Sequence, residues 1–111
     1  MIKTMLHPVS DLAAAKAVYT ALLGVAPSTD SSYYVGFDVD GLQIGLVLGG
    51  GPQAMTSPVA YWEVPDIEAR LAELVAAGAV VKDPVRDVGA GRLVATVTDP
   101  DGNVLGLLQD R

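Results

Sequence analysis

The sequence predicts an α+β fold built twice: two tandem βαβββ modules forming a curved mixed sheet around a cleft, with the helices on the outside. Three observations lead there. One phrase occurs twice: Asp38-Val39-Asp40-Gly41 and Asp99-Pro100-Asp101-Gly102 both read Asp-x-Asp-Gly, and each leads into an apolar run with Gly at the same place, Gly45 and Gly106. Two elbows, Val9-Ser10-Asp11-Leu12 and Val64-Pro65-Asp66-Ile67, each open an Ala/Leu-rich stretch that stops at a glycine, Gly24 and Gly78. Gly49-Gly50-Gly51-Pro52 and a polar loop to Ser57 separate the copies. A single domain of 111 residues follows, with module 1 at about 1–49, a link at 50–57 and module 2 at about 58–111.

The first helix is expected from Asp11 to Leu23. Ser10 can cap it, and Asp11 complements the positive end of the helix dipole. Leu12, Ala15, Tyr19, Leu22 and Leu23 form its apolar stripe, and Gly24 supplies the left-handed stop. The second helix is expected from Ile67 to Ala77, capped by Asp66, with a stripe of Ile67, Leu71, Leu74 and Val75 and a stop at Gly78. Strands are expected at Ile2–Val9, weakly near Ala26–Ser31, then at Tyr33–Val39 and Leu42–Leu48. In the second copy they fall at Pro58–Val64, Val80–Val85, Arg92–Thr98 and Val104–Gln109. Asp40-Gly41 reads as a tight hairpin turn, because Gly accepts positive φ, and Asp101-Gly102 as the same device. Gly89-Ala90-Gly91 reads as a mobile loop.

Composition narrows the function classes. The absence of Cys excludes disulfides, thiolate catalysis and thiolate metal sites. No apolar run reaches the length of a membrane span, and no leader pattern opens the chain, so a cytoplasmic protein without membrane contact is expected. A net charge of −6 repels polyanions, so nucleic acid is not an expected partner, and a neutral or cationic small molecule suits the charge better.

The two elbows, Val18-Tyr19-Thr20-Ala21-Leu22-Leu23-Gly24 and the closing Asp99-Pro100-Asp101-Gly102-Asn103 together resemble the vicinal oxygen chelate superfamily, the glyoxalase/bleomycin-resistance/dioxygenase fold. The resemblance covers essentially the whole chain. It implies paired βαβββ modules around a cleft, commonly in a homodimer, and in metal-dependent members four His, Gln or Glu ligands in that cleft. Counted from the family's motifs, those places are Thr4, Val59 and Gly106, and the internal repeat adds Gly45. Gly has no side chain, Val no donor atom, and Thr is a poor neutral ligand. The metal site therefore reads as missing, no cofactor is expected, and the cleft is expected to have unusual room on both module floors.

Several residues remain as candidates. Tyr61 and Glu63 share the parity of Val59, and Gln43 that of Gly45. The candidate ligand-binding set is Thr4, Leu6, Tyr34, Phe37 and Gln43, with Gly45, Tyr61, Glu63, Gly106 and Leu108; no catalytic residue is assigned. Glu63 is a base or a partner for a cation if it faces the cleft, and a solvated strand end otherwise. His7, the one histidine, has opposite parity to Thr4 and should point away from the cleft. Tyr61 and Trp62 must face opposite ways, as must Tyr33 and Tyr34, so part of the aromatic content is core. Asp99 and Asp101 read as turn chemistry. Gly49-Gly50-Gly51 lacks the Lys-Ser/Thr and the helix of a phosphate loop.

The leading functional expectation is a metal-free binder of a cationic or aromatic small molecule, similar to the drug-sequestering branch of the superfamily. The alternative is a lyase, isomerase or dioxygenase of glyoxalase type with a displaced metal site. A metal-independent enzyme using Glu63 or His7, and a non-catalytic scaffold with a closed, dry cleft, complete the set.

Overall fold

Both aspartates of the elbows cap helices. The computed structural model describes residues 1–51 and 54–111, so Pro52 and position 53 of the expected link lie outside the described residues. The elements run β1 (Ile2–Val9), α1 (Leu12–Leu23), β2 (Thr29–Asp30), β3 (Tyr34–Val39) and β4 (Leu42–Leu48). The same series then repeats as β5 (Val59–Glu63), α2 (Ile67–Ala76), β6 (Val80–Gly89), β7 (Arg92–Thr98) and β8 (Val104–Asp110). This is the expected α+β arrangement of βαβββ twice. Asp11, extended at φ −142°, accepts from the Ala14 amide at 3.0 Å, so the first cap is Asp11 and not Ser10. Asp66 does the same for Ala69 at 3.1 Å, and the Gln109 side-chain oxygen takes the Ile67 amide at 2.8 Å. Two otherwise orphaned donors of α2 are thereby satisfied.

The chain divides into two units, Thr4–Val59 and Met1–Lys3 with Ala60–Arg111. In the first, the strand order is β2-β3-β4-β1, with β1 parallel to β4 and the other pairs antiparallel. In the second, it is β5-β8-β7-β6, with β5 parallel to β8 and the rest antiparallel. The repeat extends to the register: Leu6 pairs with Gly45, and Tyr61 with Gly106.

One face of each sheet carries its helix. Val35, Phe37, Ile44 and Leu46 are buried under Leu12, Ala15, Tyr19 and Leu23 of α1. Val64, Ala95 and Leu107 are buried with Ile67, under Leu71 and Leu74 of α2. Fully burying a side chain such as Ile67 contributes about 1.5–3 kcal/mol. Leu22 and Val75 leave the expected stripes, being 74% and 47% exposed. Each follows on a helical step of about 100° that carries it past the core-facing row.

Two loop expectations need correction, and a third holds. Gly89-Ala90-Gly91 is a tight turn between strands and not a loop set apart from them. β6 runs to Gly89, Ala90 and Gly91 make a tight turn with φ of 55° and 79°, and the Gly91 carbonyl accepts the Arg111 amide at 2.8 Å. Asp101-Gly102 is not a two-residue turn. The Asp99 carboxylate there gathers the amides of Asp101 and Asn103 and the Asn103 side chain, at 2.8–2.9 Å, and organises a longer loop. Those hydrogen bonds, led by the Asn103 side chain, hold Asp99 below the usual carboxylate range. Asp40-Gly41 is the expected tight hairpin turn, with φ of 52° and 87°.

Candidate functional site

Directly opposed residues in neighbouring strands share a face, so register sorts the candidates. In the first unit, Thr4 opposes Gln43, and Gln43 opposes Asp38. Leu6 opposes Gly45, Gly45 opposes Gly36, and Tyr34 opposes Val47. Thr4, Leu6, Tyr34, Gln43 and Gly45 therefore lie together on the face away from α1. Phe37 does not. It opposes Ile44 and is 1% exposed inside the core beneath α1. The reason is parity: Tyr34 and Phe37 are three positions apart in one strand, and an odd step reverses the face.

In the second unit, Tyr61 opposes Gly106, which opposes Thr96, which opposes Asp83. Glu63 opposes Leu108, which opposes Val94. Tyr61, Glu63, Gly106 and Leu108 thus share the face away from α2. Trp62 opposes the core residue Leu107 and lies on the other side, as alternation required.

These faces are not roomy. Thr4, Tyr61, Thr96 and Leu108 are 4%, 3%, 2% and 1% exposed. The space expected over the two glycines is filled by tyrosine. The Tyr34 ring lies over Gly36 and Gly45, and a side chain begun at Gly45 would run into its hydroxyl and, at 2.9 Å, its Cε2. The Tyr61 ring lies on Gly106, with Cδ2, Cγ and Cε2 at 2.5, 2.6 and 2.8 Å from where a Cβ would stand. Leu6, Tyr34 and Gln43 are half-buried, and Glu63, the last residue of β5, is exposed.

Polar groups on these faces hold one another. The Thr4 hydroxyl donates to the Gln43 side-chain oxygen at 2.9 Å. The Thr96 hydroxyl donates to the Asp83 carboxylate at 2.6 Å, and Arg92 grips Asp110 through two nitrogens at 2.7 and 3.0 Å. Hydrogen bonding to Arg92 pulls the Asp110 carboxyl below its usual value. Sequence reasoning missed both pairs, since nothing in the local pattern links residues 13 or 18 positions apart.

His7 lies with the helix. Its ring meets Tyr19 of α1 edge-on, with centroids 5.3 Å apart, and its buried Nδ1 finds no hydrogen-bond partner among the described residues. Burial pushes the imidazole below its ordinary value, against a weaker upward pull from the Met5 backbone.

The residues present do not fit the metal that the resemblance implied. Two of the four places are glycines under aromatic rings, Val59 is buried and has no donor atom, and the Thr4 hydroxyl is spent on Gln43. Among the described residues, no group of three or more His, Cys, Asp or Glu side chains could hold an ion. Also among them, no helix is long and apolar enough to cross a membrane.

The family model of the Glyoxalase/Bleomycin resistance protein/Dioxygenase superfamily matches residues 2–107. Among solved structures, the chain is similar to a superfamily member from Vibrio splendidus 12B01 (20% identity, 96% of this chain and 97% of that one covered, TM-score 0.70). A hypothetical protein from Bacillus halodurans C-125 is similar at 14% identity, with 100% and 94% covered and a TM-score of 0.79. Methylmalonyl-CoA epimerase from Mycobacterium tuberculosis is similar at 17% identity, with 99% and 87% covered and a TM-score of 0.73. Identities this low speak for the fold alone. No curated protein matches the sequence.

Proposed function

Because this chain belongs to the Glyoxalase/Bleomycin resistance protein/Dioxygenase superfamily and yet carries tyrosine rings over two of the family's four ligand places, we propose that it binds a small organic molecule without a metal. The carrying observation is the pair of covered glycines, Gly45 and Gly106. The ligand class proposed is a cationic or aromatic compound, with sequestration of an antibiotic as the biological form of that binding. The net charge of −6 favours a cation. Leu6, Tyr34 and Gln43, half-buried on one face, offer an apolar edge, an aromatic ring and an amide. Glu63 offers an exposed carboxylate in the other unit. A homodimer working in the cytoplasm belongs to the same proposal.

The test is elemental analysis of the purified protein together with a thermal-shift screen of cationic and aromatic natural products in EDTA. A stabilising compound and no stoichiometric Ni, Zn, Mn or Fe are expected. A stoichiometric metal, or no hit across the screen, refutes the reading. The burial of Thr4, Tyr61, Thr96 and Leu108 favours a second reading, a non-catalytic scaffold, which the empty screen would leave standing.

A further inference from the structure

Gly45 and Gly106 are glycines without a backbone reason. Each lies inside a strand, and neither has the positive φ that the turn glycines show. Glycine in a strand gives up backbone entropy and side-chain packing relative to alanine. What both share is a tyrosine ring seated where the side chain would be. An aromatic ring laid across a bare strand glycine covers its exposed backbone, so ring and glycine stabilise each other only as a pair.

We infer that Tyr34 and Tyr61 close the two strand positions at which metal-dependent members of this family carry a ligand, so that each position is blocked by packing as well as short of a donor. The inference rests on the assignment of Gly45 and Gly106 to those positions. Restoring a donor at either glycine would not restore a site, because the ring must leave first. The two closures differ in tightness. At Gly45 an added Cβ meets the far end of the Tyr34 ring, its hydroxyl and Cε2, and the tip of Leu6 at 2.6 Å. Those atoms can swing about χ1 and χ2. At Gly106 it meets Cγ and Cδ2 of Tyr61, and Cγ is fixed one bond from the Tyr61 Cβ, so no rotation about χ2 removes it. Tyr61 is also 3% exposed and has nowhere to go, whereas Tyr34 is half-buried.

Two double-mutant cycles on the full chain test this: Gly45→Ala with Tyr34→Ala, and Gly106→Ala with Tyr61→Ala, read as Tm by circular dichroism. Gly45→Ala should lower Tm in the presence of Tyr34 and leave it unchanged or raise it in the Tyr34→Ala background. Gly106→Ala should lower Tm by more than Gly45→Ala does, and the loss should vanish beside Tyr61→Ala. If Gly106→Ala fails to fold, a folded Gly106→Ala/Tyr61→Ala double variant supports the interlock, and an unfolded one overturns it at Gly106. Additive cycles, or a Gly45→Ala change of the same sign with and without Tyr34, overturn the inference. That failure would leave the metal-free reading intact, since the donors would still be missing. A stoichiometric metal with coupled cycles would instead overturn the function and keep the packing.

Discussion

Phe37→Ala separates packing from binding at the position where sequence and structure disagree. Phe37 is 1% exposed among Val35, Ile44 and Leu46, with α1 packed above them. Removing its ring forfeits about 2–3 kcal/mol of transfer free energy, and a cavity term lifts the expected loss to about 3–5 kcal/mol. For a chain of this size about 1 kcal/mol moves Tm by roughly 4 °C, so a fall of about 12–20 °C is expected. Urea unfolding followed by fluorescence of Trp62, the one tryptophan, gives the same quantity at 25 °C. A compound found in the thermal-shift screen should bind the folded variant with unchanged affinity. A loss below about 1 kcal/mol accompanied by loss of binding would return Phe37 to the ligand face and refute the parity argument.

Three further outcomes are expected. Thr4→Val keeps the shape of a 4% exposed side chain but removes the donor to Gln43, and should cost about 1–2 kcal/mol by urea titration, with Thr4→Ser milder. Asp11→Ala and Asp66→Ala should each cost about 1 kcal/mol, read as loss of helical ellipticity and Tm; no effect at Asp11 would return the first cap to Ser10. Burial holds the folded-state pKa of His7 below its ordinary 6.5, so the unfolded chain binds more protons there. The contribution of His7 is complete above pH 6.5 and is lost as pH falls through the lowered value. His7→Phe should flatten the stability profile on that acid side, and an unchanged profile would remove His7 from it.

The order of elements was legible because its signals are local. Asp-opened helices, glycine stops and Asp-Gly turns act within a few residues, and the register repeats as the phrase does. Which residues share a face was also legible wherever alternation was carried through, as for His7, Tyr61 and Trp62. Phe37 differs because its aromatic chemistry groups it with Tyr34 while the odd step between them in β3 sends it to the other face. The occupants of the glycine floors were not legible. Tyr34 reaches Gly45 across a strand pair, and nothing in the spacing of the two residues states that the ring turns inward. The same holds for Thr96 with Asp83 and Arg92 with Asp110, whose partners come from neighbouring strands. Turn chemistry at Asp99 is legible, but Asp101-Gly102 points to a shorter turn than the Asp99 carboxylate builds.

The two rings that cover the glycines are not copies of each other. Register makes Leu6 the counterpart of Tyr61, since each opposes its glycine across a parallel pair, and makes Val94 the counterpart of Tyr34, two residues before the residue that opposes the glycine on the antiparallel side. The halves therefore reach one outcome from different strands. What they share is the gap, and each half fills it with a residue from a different strand. The consequence is unequal: over Gly106 the cover is a single ring, whereas over Gly45 the tip of Leu6 shares the cover with Tyr34, so a binding site built at one glycine needs different changes from one built at the other.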